Sequence, residues 1–279
     1  ELQGEMGKEY ALLDGEKPEV AQAIFEQYMP RFAGDILPEQ EIGRALSLAD
    51  KLDNLAATFL RGLIPTGSQD PFALRRQTIG AVNILTDGKI HWDIRRGIEA
   101  ALALLPGDEE TKKTVLSQIE DFFRQRIKAI MLDEGIAYDI IDAVLAGPVD
   151  DIYALFLKAR SMAESQLKDE AELRQAVTRL ANITKGKTGG KVDPSLFTED
   201  VEKKLQDAFE AVSAKALPLF ASYEYGKALP ALKELTAPIN DYLDNVMVMV
   251  DDEAVKNNRI SQLLATLALF NTWGDFSKL

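Results

Sequence analysis

Asp50 and Asp53 stand three residues apart in Leu48-Ala49-Asp50-Lys51-Leu52-Asp53. On a helix this spacing puts both carboxylates on one face, where they could hold a divalent cation or divide acid and base roles. The other reading is a solvated or ion-paired couple with Arg44 and Lys51 nearby in sequence. Charge pairs on helices usually stabilise weakly and do little else. His91, beside Trp92, is the only histidine, and at a helix start it reads as a capping or packing residue rather than a catalyst. Gly186-Lys187-Thr188 has the composition of a phosphate-binding loop, but the full pattern is missing and no strand is expected before it, so a nucleotide P-loop is rejected. Asp251-Asp252-Glu253 suits the positive end of a helix. A calcium loop would need alternating oxygen ligands and a central glycine, and Ala254, Val255 and Lys256 follow instead.

Composition narrows the chemistry further. The chain has 279 residues, 32 Lys plus Arg, 45 Asp plus Glu, a net charge of −13, one histidine and no cysteine. Disulfide frameworks, thiolate zinc sites, iron–sulfur clusters and cysteine nucleophiles are excluded, as are multi-histidine metal sites. A Ser–His–Asp triad would have to use His91. The acidic total opposes a surface that grips nucleic acid everywhere, but not a local basic patch. Such a patch exists: Leu173 to Val192 contains Arg174, Arg179, Lys185, Lys187 and Lys191 and no acid. Two readings stay open, a solvated helix end running into a flexible loop, or a strip that faces phosphates.

The elements that would position these groups are helices. Ala, Leu, Glu, Lys and Gln dominate, and strand-like alternation is scarce. From Pro38 to Leu63, Ile42, Ala45, Leu46, Ala49, Leu52, Leu55, Ala56, Phe59 and Leu63 form a wide apolar stripe expected to face a core. A loop over Pro65–Pro71 should then lead through a capping Asp70 and a first-turn Pro71 into a helix from Phe72 to about Leu85. Further helices are expected over 91–105, 109–133, 138–145, 150–165, 169–183, 198–217, 223–235, 238–249 and 253–273. Thr184 to Lys191, with three glycines and three lysines, is the clearest linker. Two all-α domains fit this length. No stretch reaches the roughly 18–20 apolar residues of a membrane span. Glu1 falls within amphipathic sequence with no leader pattern, so a piece of a longer, cytoplasmic chain is expected.

Several segments together resemble bacterial glycyl-tRNA synthetase beta subunits. They are Leu2-Gln3-Gly4-Glu5-Met6-Gly7-Lys8-Glu9-Tyr10-Ala11, Tyr28 to Asp35 with Leu37-Pro38, Leu48 to Asp53, Pro65 to Arg76, Val246 to Met249, Asn257 to Leu264, and Asp275 to Leu279. They span the chain in the family's order. The resemblance implies an HD-like helical domain with a helical connector over 1–167 and a DALR-type anticodon-binding bundle over 168–279. The bundle's opening helix, Leu173 to Ile183, is close to the family pattern, with Thr178 where a lysine is usual. It also implies that a separate alpha subunit, in an alpha2-beta2 assembly, uses ATP and Mg to form glycyl-adenylate and carries the aminoacylation site. The beta subunit then supplies most of the recognition of glycine tRNA. Arg179, Asn182, Lys185, Lys187, Asn258 and Arg259 are the expected tRNA contacts.

In the HD-like part, Asp50 stands where the last metal-binding aspartate of active relatives would be, and Gln3-Gly4 where His-Asp should stand. One carboxylate without imidazole partners is a poor transition-metal site. No catalytic residue, metal or cofactor is therefore expected in this chain, and neither DNA nor membrane as a partner. Two alternatives differ in class: a metal-dependent phosphohydrolase using Asp50 and Asp53, and a helical protein-interaction module.

Overall fold

The structure is a computed structural model describing residues 2–67 and 69–279; Glu1, and Ser68 in the expected 65–71 loop, lie outside the described residues. Among the described residues the regular elements are thirteen α-helices and four short 3-10 turns, with no strand. The chain divides into two compact units, Glu1–Asp133 with Val149–Ala154, and Glu134–Pro148 with Leu155–Leu279.

The first unit contains α1 (Glu5–Leu13), α2 (Pro18–Glu26), α3 (Glu41–Leu60), α4 (Leu74–Asp87), α5 (Ile94–Ala103) and α6 (Glu109–Asp133). The central helix α3 packs on α2, α4, α5 and α6. Leu48, Leu52, Leu55, Ala56 and Phe59 face inward, and the Phe59 ring meets Phe122 of α6 edge to face at 5.2 Å. Each such side chain contributes about 1.5–3 kcal/mol by leaving water. The expected stripe divides, however. Ala45 and Ala49 are exposed, as are Ile42 and Leu46 at 54 % and 36 %, so half of it does not enter the core. The helix also stops at Leu60, short of Leu63. Gly62 takes the left-handed conformation, with its N–H on the Phe59 carbonyl and that of Leu63 on Thr58, a stop that a residue without Cβ allows at little cost.

Asp70 serves α4 differently from expectation. Its carboxylate accepts from the N–H groups of Leu74 and Arg75 at 2.8 and 2.9 Å. It thus caps from four residues upstream, and Pro71 lies in a preceding turn rather than in the first helical turn. The N-cap of α5 is Asp93, while His91 Nδ1 lies 2.8 Å from Asp151 Oδ2 and its ring lies against Tyr153.

The second unit contains α7 (Tyr138–Val144), most of α8 (Ile152–Glu164), α9 (Ala171–Thr184), α10 (Asp200–Ala221), α11 (Leu229–Lys233), α12 (Thr236–Asn245) and α13 (Glu253–Asn271). Within it, α9 packs on α12 and α13, and α10 on α12 and α13. Trp273 is fully buried and donates from its indole N–H to Ser161 Oγ at 3.0 Å. Gly274 N–H and Asp275 N–H then turn back to the Phe270 and Ala143 carbonyls. These contacts hold α7 and most of α8 in the same compact unit as the helices after residue 168. The expected linker at Thr184–Lys191 likewise joins two elements of one unit.

Candidate functional site

The basic strip begins on α9 and continues through the segment that leads to α10. Leu173, Ala176, Val177 and Leu180 bury one face of α9, which leaves Arg179 half-buried and Asn182 exposed. Beyond the helix end, Gly186 adopts φ +69° and turns the chain. Lys185, Lys187 and Lys191 are exposed, and Lys185 and Lys187 form no ion pair among the described residues. The five cations are therefore unequal. Arg174 donates to the main-chain oxygens of Leu279 and Lys168 at 2.7 and 3.0 Å. Arg179 donates to Asn240 Oδ1 at 2.9 Å and pairs with Asp244. Lys185 and Lys187 carry the uncompensated charge.

The lysine segment is not a free tether. Gly190 N–H donates to Ser261 Oγ at 2.8 Å. A Cβ on Gly189 would come within 2.9 Å of Leu264 Cδ1 and 3.2 Å of Ser261 Cα, so a side chain there would press on α13 and make its neighbours shift. Three residues on, Asp193 N–H donates to Asn258 Oδ1 at 2.7 Å, and Asn258 Nδ2 returns a bond to the Asp193 carbonyl at 2.9 Å. The Asp193 carboxylate accepts from the hydroxyl and the N–H of Ser195, which holds its pKa below the ordinary carboxylate value.

Asn258 and Arg259, expected as tRNA contacts, are both buried at 4 % exposure. Their polar groups are spent inside the unit. Arg259 reaches Glu202 through Nε at 3.0 Å and Nη2 at 3.3 Å, Thr198 Oγ1 at 2.7 Å and the Met247 carbonyl at 2.8 Å. Glu202 also accepts from the N–H groups of Thr198 and Glu199 at 2.8 and 2.9 Å, closing the capping box of α10. Burial pushes the Glu202 carboxyl up, but Arg259 and these two N–H groups outweigh it and hold it below its ordinary pKa. Gln262 adds a bond from its amide to the Glu202 carbonyl at 2.7 Å. A buried charge is tolerable only when paired and hydrogen-bonded in this way. The Asn-Arg step thus ties α13 to α10, to the lysine segment and to the stretch that begins at Val246. Asn182 sits on the exposed side of α9, and the strip's three lysines lie together just past it.

In the first unit, Asp50 is half-buried and Asp53 exposed. Asp50 has amides for neighbours, Gln27 Nε2 and Asn54 Nδ2, each at 3.4 Å. Lys51 points inward and donates to the Met29 carbonyl at 2.8 Å and Ser47 Oγ at 2.6 Å. Burial pulls its pKa down to about 8, against the opposing pull of Asp50. Among the described residues no three His, Asp or Glu side chains gather as a metal site, and His91 is committed to Asp151. Asp252, by contrast, caps α13 as expected, accepting from the N–H groups of Ala254 and Val255.

Sequence reasoning missed Glu202, Ser261 and Asp193, whose roles depend on partners 57 to 71 residues away. Glu202 had one readable signal: Glu199 and Glu202 stand at capping-box spacing.

Residues 1–146 match the family model described as glycyl-tRNA synthetase beta subunit, and residues 173–274 match that of the DALR anticodon binding domain. Among curated relatives, the glycine–tRNA ligase beta subunit of Clostridioides difficile (strain 630) is 45% identical over 94% of this chain and 38% of the relative. Those of Desulforamulus reducens and Shouchella clausii are 41% and 40% identical over all of this chain and 41% of the relative. The chain spans about two fifths of the length of these relatives.

Proposed function

The chain belongs to the glycyl-tRNA synthetase beta subunit family, and on that premise we propose that its second unit holds the anticodon arm of glycine tRNA for a glycine–tRNA ligase. The observation that carries this reading is the coincidence of the DALR match over 173–274 with the acid-free strip over 173–192. Lys185 and Lys187 face phosphates as unpaired point charges. Asn182, exposed beside them, offers a donor and an acceptor to a splayed base. Arg179 adds charge at the Asp244 side, shared with that carboxylate. Asn258 and Arg259 act as positioning residues: they fix the segment that carries the lysines, and RNA is read by its exposed neighbours. The DALR match begins at Leu173, close to the expected boundary at Lys168, and α7 with most of α8 packs with that bundle.

The first unit is a retained HD-like scaffold. Asp50 keeps the aspartate's place while Gln27 and Asn54 occupy its surroundings, a donor set that suits a hydrogen-bonded carboxylate better than a transition metal. Aminoacylation, with its ATP and Mg, belongs in this reading to a separate alpha subunit of an alpha2-beta2 enzyme in the cytoplasm. No described helix is long and apolar enough to cross a membrane.

Binding of this chain to glycine tRNA and to the same tRNA with a substituted anticodon tests the reading. Anticodon recognition requires a clear preference for the wild-type tRNA. Equal affinity for both, or no binding, contradicts it.

A further inference from the structure

The apolar stripe of α3 has a second face that the first unit leaves uncovered. Between α3 and α5 lies an open groove of about 960 Å3. Its floor is made of small residues, Ala45 and Ala49 on α3 and Gly97 and Ala101 on α5. Its walls are large and apolar: Leu46, Leu104, which is 83 % exposed, and Trp92. Trp92 packs closely on α5, since a Cβ on Gly97 would come within 2.3 Å of its ring. From Glu41 to Asp53 the trough runs thirteen residues of α3, twelve steps or about 18 Å at about 1.5 Å per residue.

Small residues in a trough between two helices, flanked by Leu and Trp, admit the close approach of a third helix, because ridges need grooves of matching depth. The rim then sets its charge. Glu41, Asp50 and Asp53 line the groove with Arg44 as the one cation, and Arg44 Nε is turned onto the Pro38 carbonyl at 3.0 Å. Glu41 and Asp53 form no ion pair among the described residues. That rim repels RNA phosphates, and it repels the same face of a second copy, which would bring like carboxylates together.

We propose that this groove is a docking site for an amphipathic helix of another polypeptide, with an apolar stripe at i, i+3, i+4 and i+7 flanked by lysine or arginine. The site is separate from the lysine strip and independent of the tRNA reading. Apolar side chains fill the space over Ala49 and Ala101, and cationic side chains reach Glu41 at one end and Asp53 at the other.

The test uses the 279-residue chain and a fluorescent Leu/Lys amphipathic peptide of about 18 residues, long enough to hold a helix, followed by anisotropy. Ala49→Trp fills the groove without changing charge and should weaken binding about tenfold or more; exposed Leu104→Ser, which removes an apolar wall at unchanged charge, serves if that variant does not fold. The Glu41→Lys and Asp53→Lys pair should weaken it about as much. Asp207→Lys with Glu210→Lys makes the same charge change on α10 and should leave it unaltered. A Leu/Glu peptide of the same pattern should not bind. Absence of Leu/Lys binding overturns the proposal. So does binding indifferent to both the Ala49 and the Leu104 variants, or equal loss in the α10 control, since either means nonspecific attraction to an acidic chain. Loss of glycine-tRNA binding in Ala49→Trp would assign the groove to RNA and also overturn it.

Discussion

The Asn258 carboxamide holds both main-chain groups of Asp193, accepting from its N–H at 2.7 Å and donating to its carbonyl at 2.9 Å. One side chain of α13 thereby completes a segment that has no regular structure of its own. Asn258→Ala strands two main-chain groups, a loss of about 1–3 kcal/mol. Hydrogen exchange at Asp193 and Gly190 should quicken, and trypsin should cut faster at Lys185, Lys187 and Lys191. Affinity for glycine tRNA should fall with the slope of its salt dependence unchanged, because no phosphate contact is removed. A reduced slope would mean that Asn258 sits among groups that touch RNA.

Arg259 and Glu202 are a buried pair, 5% and 0% exposed in their side chains. Arg259→Met leaves the Glu202 carboxylate buried without its cation and should cost about 3–5 kcal/mol. The pH dependence carries the sign. In the wild-type chain Glu202 is held below its ordinary pKa, so its stabilisation is present above about pH 4.5 and is lost as pH falls through the folded value. In Arg259→Met only the Thr198 and Glu199 N–H groups still oppose burial, so the carboxyl rises from its wild-type pKa and protonation relieves the variant as pH falls. Urea unfolding of both proteins at several pH values should show the gap narrowing on acidification. A constant gap would contradict the ion pair as its source.

Lys51 gives a pH dependence of the same sign in the alkaline range. Its ordinary pKa of 10.5 is lowered to about 8 in the fold, chiefly by burial. Between these values the unfolded chain keeps a proton that the folded chain has released, so stability rises with pH from about 8 to 10.5. Lys51→Met abolishes that rise. Melting curves across this range check it, and an identical alkaline profile in both proteins would show that another group is responsible.

The helices were legible because most have one apolar face and end at Gly, Pro or a capping Asp, signals carried within a few residues. The division of α3 was not. Periodicity reports that Ile42, Leu46, Leu52 and Leu55 share a broad stripe, but not which part of it finds a partner. The burial of Asn258 and Arg259, expected as tRNA contacts, was illegible for a related reason. Polar residues early in a helix read as surface, and burial here depends on Glu202, 57 residues away. The lysines of 185–191 were legible by composition, since nothing in the local sequence neutralises them, whereas the tie of Arg179 to Asp244 spans 65 residues.

That division of α3 is measurable. Leu55 is fully buried and Leu46 lines the open groove. Leu55→Ala should cost about 2–5 kcal/mol, and Leu46→Ala within about 0.5 kcal/mol. Comparable losses at both positions would place Leu46 in the core after all.

The most direct measurement is the salt dependence of glycine-tRNA binding by the wild-type chain and by Lys185→Ala with Lys187→Ala. Each phosphate contact contributes about 0.7–0.9 to the slope of log K against log salt. Phosphate contact by these two lysines predicts weaker binding and a slope shallower by about 1.4–1.8, with the fold unchanged because both side chains are exposed. Superimposable salt profiles in the two proteins would contradict the lysine segment as the RNA face.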